Sequence, residues 1–225
     1  MRTDVNFSSS PVIASDNIRY GVPQNPWGRI FDITLILLAA PYILLFFLVI
    51  SILIMLDSRG GPFYNQTRIG RGGRHFKAYK FRTMVLNADQ ILQRYLDESP
   101  ELKAEWLATH KLKRDPRVTR VGAILRKLSL DELPQFWNIL TGDMSLIGPR
   151  PIVDAEIEKY GKCFELYIQA RPGLTGLWQV SGRSDTSYQR RVELDEYYLL
   201  NRSFRMDILI LWKTVYVVLG RKGAY

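Results

Sequence analysis

The chain has little of the chemistry on which most metalloenzymes and redox proteins rely. Its 225 residues contain one cysteine, Cys163, and two histidines, His75 and His110. An internal disulfide is therefore excluded, and so is a metal site built from cysteine and histidine ligands. Any catalytic metal has to be a hard cation that is held by carboxylates and substrate oxygens.

Several common catalytic motifs are also missing. The sequence contains no G-x-x-x-x-G-K-[ST] loop, no G-x-S-x-G elbow, no H-E-x-x-H and no D-x-D pair. The segment Gly70 to Gly73 is rich in glycine, but it does not fit a dinucleotide-binding fingerprint. We interpret it as a hairpin turn between Tyr64 and Phe76.

Charge is absent from one long apolar segment. The 24 residues from Ile33 to Leu56 carry none, and at about 1.5 Å per residue a helix of this length crosses a ~30 Å hydrocarbon core. One interpretation is a single spanning helix. The other is a re-entrant helix that bends at Pro41 and returns to the same face, because proline removes a backbone hydrogen bond and clashes with the preceding turn.

The net charge of +9 lies entirely after this segment, since residues 1–56 hold three basic and three acidic residues. Such a surplus suits nucleic acid, anionic lipid or phosphorylated substrates, and its sign does not choose between them. By the positive-inside tendency, the basic residues that follow the apolar segment place the next domain in the cytoplasm. These residues are Arg59, Arg68, Arg71, Arg74, Lys77, Lys80 and Arg82.

The remaining pattern predicts an α+β domain that is mostly helical. A strand is predicted over Phe76 to Phe81, and a long helical pattern runs from Asn87 to Lys113 with an interruption at Ser99-Pro100. Met206 to Leu219 is apolar but too short to span a membrane, which favours an interfacial or core helix. The predicted parts are a mobile tail (1–28), a membrane helix (29–57) and a catalytic domain (58–225).

Two adjacent carboxylates, Asp131 and Glu132, lie in the most informative segment of the chain. Two cations, Arg126 and Lys127, precede them, and Pro134 leads the apolar run that follows. The spacing by itself leaves two interpretations open. The pair either caps a helix or carries out chemistry on a substrate.

A helix cap would use Ser129, whose spacing from Glu132 is that of a capping box. In that geometry Pro134 would occupy the fifth helical position, where its ring meets the carbonyl of Leu130. A helix that starts nearer Asp131 fits better and places both carboxylates in its first turn. There the positive helix end and the neighbouring cations would keep Asp131 ionised and reactive toward an electrophile.

Basic residues flanked by turn-forming residues recur around this pair. Arg150 stands between Pro149 and Pro151, so it loses little backbone entropy on binding and presents a fork suited to phosphate. The alternative for each such residue is an ordinary loop with a solvated charge. The candidates for substrate and phosphate binding are Lys80, Arg82, Arg114, Arg117, Arg126, Arg150 and Arg171.

Polar residues in the C-terminal part add a second set of candidates. Gln179 and Arg183 bracket a segment with an amide, a hydroxyl, a glycine and a guanidinium, which is able to hold a nucleobase or a ribose. The alternative for that segment is a simple turn. Asp195 and Asp207 are interpreted as helix-surface acids or as outer members of the site, and we favour the surface positions.

Four segments together resemble the bacterial sugar transferases known as monotopic phosphoglycosyl transferases. They are Lys80–Met84, Leu125–Trp137, Gly142–Pro151 and Arg171–Arg183. The resemblance runs from about Trp27 to the C-terminus and keeps the motifs in order. Within the family, the Leu-Ser-Leu-Asp-Glu-Leu-Pro-Gln segment is most similar to members that transfer galactose phosphate for succinoglycan-type exopolysaccharides.

The resemblance implies a two-step reaction at the cytoplasmic face of the bacterial inner membrane. The position of Asp131 attacks the sugar-proximal phosphorus of a UDP-sugar, releases UMP and becomes a covalent sugar-phosphate adduct. Undecaprenyl phosphate then accepts that group. The position of Glu132 is associated with Mg²⁺, and those of Lys80, Arg126 and Arg150 with phosphate, whose charge must be neutralised during transfer.

The resemblance also implies that the membrane segment is re-entrant and breaks at its proline. Where other members carry Ser-Pro, this chain has Ala40-Pro41, so a contact made by that serine is lost here while the bend is expected to stay. The expected partners are the UDP-sugar, undecaprenyl phosphate and membrane lipids. A homodimer is left open.

Two other functions remain as alternatives. A membrane-anchored basic module that binds nucleic acid or anionic lipid would explain the charge, but not the two carboxylates among the cations; we therefore expect no nucleic-acid partner. A glycosyltransferase with a spanning helix would release UDP where the first hypothesis predicts UMP. The released nucleotide therefore separates the two enzymes.

Overall fold

The structure is a computed structural model that describes residue 22 and residues 26–109, 112, 115–182 and 186–219. It is mostly helical with a few strands, as the sequence predicts. The helices are α1 (Pro26–Asp57), α2 (Ala88–Glu98), α3 (Pro100–Thr109), α4 (Arg120–Lys127), α5 (Gln135–Thr141), α6 (Ile157–Tyr160), α7 (Phe164–Tyr167), α8 (Tyr188–Asn201) and α9 (Phe204–Leu219). The strands are β1 (Phe63–Ile69), β2 (His75–Phe81), β3 (Ser145–Ile147) and β4 (Gly173–Thr175).

Helix α1 is the one helix in the described ranges that is long and apolar enough to cross a membrane. It continues on both sides of Pro41, whose missing hydrogen bond a membrane-type helix tolerates. Most of its apolar side chains are exposed. Its length, composition and exposure indicate that the protein associates with a membrane.

Both ends of α1 are fixed to the same domain. Near its start, Asp32 accepts a hydrogen bond from the Ser145 hydroxyl at 2.6 Å, and the guanidinium of Arg29 donates to two carbonyls of α5. At its end, Asp57 accepts from the backbone N–H of Val121 at 2.9 Å. These hydrogen bonds attach the two ends of α1 to the domain and do not involve its middle.

The β1–β2 hairpin confirms the predicted strand and the predicted glycine turn. The strands are antiparallel, with Phe63 opposite Phe81 and Ile69 opposite His75. The turn between them contains Gly72 and Gly73, each at a φ of 72°, a conformation that side chains other than glycine rarely adopt.

The predicted helical pattern from Asn87 to Lys113 forms two helices, α2 and α3, that meet at Ser99. The break has the predicted cause, since Pro100 cannot continue a helix but suits the first position of a new one. The Ser99 hydroxyl accepts a hydrogen bond from the Leu102 N–H at 3.3 Å. The prediction is confirmed as far as Thr109.

Helix α9 matches the predicted apolar segment and has two unlike faces. Asp207 and Ile210 are buried against the domain, whereas Trp212 and Tyr216 are exposed. Tryptophan and tyrosine prefer the membrane–water boundary. The helix therefore has one core face and one face suited to a membrane interface.

Three apolar clusters hold these elements together. The largest joins α1, α5, β3, α8 and α9 through residues such as Ile36, Ile139 and Leu199. A second contains Tyr160 and Tyr167, and a third packs the last turns of α1 on β2 and α4. Strands β3 and β4 pair in parallel beside the first cluster.

One residue of the predicted mobile tail is described before α1. Val22 is buried in the largest cluster, and its backbone N–H donates to Gln169 Oε1 at 3.1 Å. Helix α1 itself begins at Pro26, inside the predicted tail. The other residues of the range 1–25 lie outside the described residues.

Candidate active site

The two carboxylates lie in a short helical turn, Leu130 to Glu132, between α4 and α5. Ser129 precedes it in the left-handed region at a φ of 56°, and its side chain makes no capping hydrogen bond. The capping-box interpretation is therefore wrong: Ser129 redirects the chain after α4 instead of capping a helix. The preferred alternative is confirmed, since Asp131 and Glu132 occupy the first turn.

Glu132 is surrounded by cations. Its Oε1 lies 2.7 Å from the Lys80 ammonium and 3.7 Å from the Arg150 guanidinium. Burial by itself would raise the pKa of Glu132, but the charges of Lys80 and Arg150 outweigh burial and lower that pKa to about 2. Glu132 is therefore ionised throughout the physiological pH range.

The effects of burial and of neighbouring charges on the pKa of Asp131 balance differently. Burial and the adjacent charge of Glu132 raise the pKa of Asp131 above its usual value, although Lys80 and Arg126 act to lower it. The sequence predicted that the positive helix end and Arg126 or Lys127 would keep Asp131 ionised and reactive, and the charge of Arg126 acts in that direction. The desolvation of this largely enclosed carboxylate is the larger effect on its pKa, and the result is a carboxylate more basic than an exposed aspartate.

Arg126 is held beside the carboxylates by a second contact. Its Nε donates to the hydroxyl of Thr83 at 2.9 Å. Gly122 explains how α4 comes so close to that segment, since a Cβ on Gly122 would lie 2.2 Å from the Thr83 carbonyl oxygen. Glycine at this position therefore allows α4 to deliver Arg126 to the site.

One face of the hairpin contributes further cations. Along β1, Tyr64 and Arg68 lie on the same face because side chains alternate between faces. Lys80 is paired directly opposite Tyr64 and therefore lies on that face as well. Arg68 donates to the Pro151 carbonyl at 3.1 Å and is close enough to influence the pKa of Glu132. Sequence reasoning missed Arg68 as a site residue, although alternation along β1 places it with Lys80.

The loop that carries Arg150 is held by close contact with the segment around Gly173. A Cβ on Gly173 would lie 2.1 Å from the Gly148 nitrogen, and the Gly173 N–H donates to the Pro149 carbonyl at 2.8 Å. These two glycine-containing motifs therefore pack on each other. Their function in the fold is to place the Arg150 guanidinium beside Glu132.

Asp195 lies behind the same loop and is fully buried. It accepts a hydrogen bond from the Tyr160 hydroxyl at 2.8 Å, and burial raises its pKa to about 8 even though Tyr160 and Arg150 act to lower it. Asp207 is also buried and accepts from the Tyr198 hydroxyl at 2.7 Å. The prediction of helix-surface acids is wrong, because both residues face inward toward tyrosine hydroxyls.

Three predicted ligand-binding cations bond to the protein itself. Arg82 donates to the carbonyls of Ser58, Arg59 and Gly60 at the end of α1. Arg117 pairs with Asp115 at 2.7 Å. Arg171 donates to the Gly142 carbonyl at 2.9 Å. Arg82 and Arg117 nevertheless line the cleft, whereas Arg171 does not.

The remaining candidates divide into one that reaches the cleft and two that lie outside the described residues. Gln179 lines the cleft and donates to the Leu174 carbonyl at 3.3 Å. Arg114 and Arg183 fall outside the described ranges. Arg191, which sequence reasoning missed, lines the cleft and stacks 4.7 Å from the centre of the Trp178 ring.

The carboxylates and cations share one cleft of about 1160 Å³. Its lining includes Lys80, Arg126, Asp131, Glu132 and Arg150. Four further arginines line it too, and its apolar lining includes side chains of α1 and α9; the arginines are Arg68, Arg82, Arg117 and Arg191. This combination suits a ligand that carries phosphate at one end and is apolar at the other.

A metal ion at this site would need oxygen ligands from its substrate. Across the described residues, no three His, Cys, Asp or Glu side chains form a group that could hold a metal ion. A hard cation held by one or two carboxylates together with phosphate oxygens is the usual arrangement for Mg²⁺. Glu132, ionised and facing the cleft, fits that arrangement, although its Oε1 is already shared with Lys80 and Arg150.

Fold and cleft together define a membrane-associated protein whose cleft combines two carboxylates with several cations. The family model "Bacterial sugar transferase" matches residues 24–221, and the chain belongs to that family. This confirms the resemblance found in the sequence. Members of the family include enzymes named as sugar transferases and sugar phosphotransferases.

Relatives of similar length and of greater length match the chain. The "Exopolysaccharide production protein ExoY" of Sinorhizobium fredii is 47% identical over 197 residues, which cover 88% of this chain and 87% of the relative. The "Undecaprenyl-phosphate galactose phosphotransferase" of Salmonella typhimurium is 48% identical over 202 residues, covering 88% of this chain and 41% of the relative. The "UDP-galactose-lipid carrier transferase" of Erwinia amylovora is 52% identical over 178 residues, which cover 79% of this chain and 37% of the relative. The chain thus spans less than half of the two longer relatives.

Proposed function

We propose that this chain transfers a hexose 1-phosphate from a UDP-sugar to undecaprenyl phosphate and releases UMP. The observation that carries the proposal is the pairing of a more basic carboxylate, Asp131, with a fully ionised one, Glu132, among phosphate-binding cations. The names of two relatives contain galactose and a lipid carrier or undecaprenyl phosphate. They favour UDP-galactose over UDP-glucose as the donor. The name of the Sinorhizobium fredii relative, "Exopolysaccharide production protein ExoY", favours exopolysaccharide synthesis as the pathway, with this transfer as its first membrane step.

In the first half-reaction, a carboxylate oxygen of Asp131 attacks the phosphorus next to the sugar. A bond forms between that oxygen and phosphorus, and the bond from phosphorus to the bridging oxygen breaks, so that UMP leaves with the electron pair. A carboxylate with a raised pKa is the better nucleophile once ionised. Lys80, Arg126 and Arg150 offset the negative charge on the transferring group.

In the second half-reaction, a phosphate oxygen of undecaprenyl phosphate attacks the same phosphorus. The bond between Asp131 and phosphorus breaks, which regenerates the carboxylate and yields the undecaprenyl diphospho-sugar. The same cations serve both steps because the transferred phosphoryl group stays in one place while its partners exchange. The cleft is large enough for the two substrates to bind in turn.

Mg²⁺ is the proposed cofactor, with Glu132 as its protein ligand. Bound there, it would neutralise phosphate charge and orient the diphosphate. Glu132 supports this assignment because its pKa of about 2 keeps the carboxylate ionised at every physiological pH. Lys80 and Arg150 hold that carboxylate in position for the ion.

The proposed location is the cytoplasmic face of the inner membrane, with α1 entering and leaving on that face. A helix of 32 residues is about 48 Å long, so a spanning orientation would put its ends on opposite sides of a ~30 Å core. Both ends bond to one domain instead, through Asp32 and Asp57. That attachment supports a re-entrant course.

Cysteine labelling in intact cells tests this course at both ends of α1. Trp27 and Ser58 are replaced by cysteine one at a time; the native Cys163 adds little background because burial raises its pKa to about 12. A re-entrant helix protects both positions from a membrane-impermeant reagent. Labelling of one position only would establish a spanning helix.

The nucleotide product tests the reaction itself. The protein in detergent is incubated with UDP-galactose, undecaprenyl phosphate and Mg²⁺, and the released nucleotide is identified by chromatography. We expect UMP, with UDP-glucose as the next donor to try. Release of UDP would contradict the proposal and indicate a direct glycosyl transfer.

A further inference from the structure

The cleft has apolar lining residues that the proposed chemistry does not use. They come from α1 and α9 and, in the rest of the domain, include Phe136, Leu146 and Leu174. We call this part of the cleft the helix groove. Its two helical walls are Leu35, Ala39 and Ile43 of α1 and Leu211, Thr214, Val217 and Val218 of α9.

The α1 wall is the middle part of a row of side chains that faces the domain along the helix, and there the domain covers the row only partly. Side chains three or four residues apart face the domain along the whole helix, and those near its ends, Ile36 at 4% and Ile54 at 1% exposure, are buried. In the middle of this row, Ala39 and Ile43 are only half-buried and line the helix groove. Helix α1 therefore packs on the domain at its two ends and leaves an apolar opening beneath its centre.

The α9 wall has no unsatisfied polar group where it meets the domain. Thr214, its polar member, shares a 2.7 Å hydrogen bond with the Thr175 hydroxyl and is 2.8 Å from the Ile210 carbonyl. The opposite face of α9 exposes Trp212 and Tyr216, which suits a membrane boundary. The groove is thus lined mainly by apolar side chains of two helices that also expose apolar surface, and it belongs to the same cleft as the cations.

We infer that the helix groove binds the hydrocarbon tail of the lipid acceptor, with its phosphate beside Lys80, Arg126 and Arg150. The inference rests on the proposed function. Asp131, the cations and the groove walls line one cleft, so a ligand bound there meets both positive charge and apolar side chains. A single-chain lipid phosphate whose first isoprene units lie between α1 and α9 matches both.

Tryptophan substitutions that fill the groove test this inference. Ala39→Trp narrows it from α1, and Val217→Trp narrows it from α9. Matched controls are Leu38→Trp and Val215→Trp, whose side chains are exposed on the outer faces of the same helices. The full-length proteins are compared in nanodiscs with undecaprenyl phosphate and with a prenyl phosphate of one isoprene unit.

Two readouts separate the inference from the proposed function on which it rests. UMP release from UDP-galactose without acceptor reports the first half-reaction, and it should be the same in all five proteins. The KM for undecaprenyl phosphate should rise at least about tenfold in the two groove variants, since the loss of about two buried methylene groups from an apolar site weakens binding by about that factor. The short acceptor, whose tail does not reach the filled positions, should be used equally by all five.

Other outcomes would overturn the inference. If both groove variants use undecaprenyl phosphate like the original protein, the groove holds another occupant, such as a bilayer lipid or another segment of the chain. If the outer-face controls lose acceptor use to the same extent, the effect belongs to membrane association and not to the groove. Absence of UMP release from any UDP-sugar in the original protein would refute the proposed function instead.

Discussion

The half-buried Glu132 and the fully buried Asp195 have Arg150 as a common neighbour, yet their surroundings make them opposites. Glu132 faces the cleft, and the charges of Lys80 and Arg150 overcome its burial, so its pKa is about 2. Asp195 lies behind the loop, where burial dominates and raises its pKa to about 8. Burial alone therefore does not mark a reactive acid. Nearby cations that face a ligand space distinguish the candidate site from a structural one.

The strongest test of this contrast removes the acid assigned as nucleophile. Asp131→Asn should lower UMP release by about a thousandfold or more, because the amide cannot form the covalent adduct. The protein should still fold, since removing a largely enclosed carboxylate with a raised pKa relieves desolvation. UMP release and thermal melting in detergent measure the two effects.

The matched control is Asp89→Asn, an exposed acid on α2 that also lines the cleft. Its UMP release should stay within about twofold of the original protein, as for most surface changes. Equal losses in both variants would mean that acidity in the cleft matters in general and that Asp131 has no special role.

The second test concerns the ionised partner. Glu132→Gln should reduce UMP release on the order of a hundredfold, because the amide neither binds Mg²⁺ well nor neutralises Lys80. The Mg²⁺ concentration needed for half-maximal release should rise as well. Glu193→Gln, which removes an exposed ion pair with Arg190 on α8, serves as the control; an unchanged Mg²⁺ requirement in Glu132→Gln would contradict the assignment of the metal ligand.

The third test concerns the cation shared by the two acids. Arg150→Lys keeps the charge but loses the planar fork, so we expect the KM for the UDP-sugar to rise about tenfold, the size of a charged hydrogen bond. Arg190→Lys on the exposed face of α8 should change nothing measurable. If both variants have the same KM, Arg150 acts only through its charge or does not contact the substrate.

The smallest expected effect on activity is at Asp195. Asp195→Asn keeps an oxygen that can accept from Tyr160, so turnover should change by no more than about twofold. The free energy of unfolding should depend on pH differently in the two proteins. The reason is that the pKa of Asp195 is about 8 in the folded protein, above its ordinary value of 3.8. The native aspartic acid then stabilises most at low pH, and this contribution is lost as pH rises through about 8.

Thermal melting of both proteins between about pH 4 and pH 8 measures this effect. The difference in melting temperature should shift in favour of Asp195→Asn as pH rises across that interval. Parallel curves would contradict a neutral Asp195 in the folded state and would weaken the contrast with Glu132.

Local features of the fold were predictable from the sequence because their causes are local. Glycine made the turn between β1 and β2, Pro100 separated α2 from α3, and Pro134 argued against a cap at Ser129. The carboxylate pair and the cations Lys80, Arg126 and Arg150 were identified from neighbouring charges, from flanking turn-forming residues and from motifs that resemble those of the family. All five line one cleft in the structure.

What the sequence could not predict depends on contacts between distant segments. A guanidinium satisfies carbonyls at a helix end as readily as it binds a phosphate, so Arg82 and Arg171 could not be told apart from Arg150. Asp195 looked like a surface acid because its partner, Tyr160, comes from a helix far away in sequence. Arg68 was overlooked because it is far from Asp131 and Glu132 in sequence and shares a face with Lys80 only through the pairing of β1 with β2.

The central claim is that Asp131 forms a covalent bond with the sugar phosphate, and intact-mass spectrometry tests it most directly. The protein is mixed with UDP-galactose and Mg²⁺ without acceptor, quenched and weighed, and the modified peptide is then sequenced. We predict a mass increase of one hexose phosphate on Asp131, which undecaprenyl phosphate removes and which Asp131→Asn never acquires. UMP release with no adduct on the original protein, or an adduct that persists in Asp131→Asn, would contradict the account.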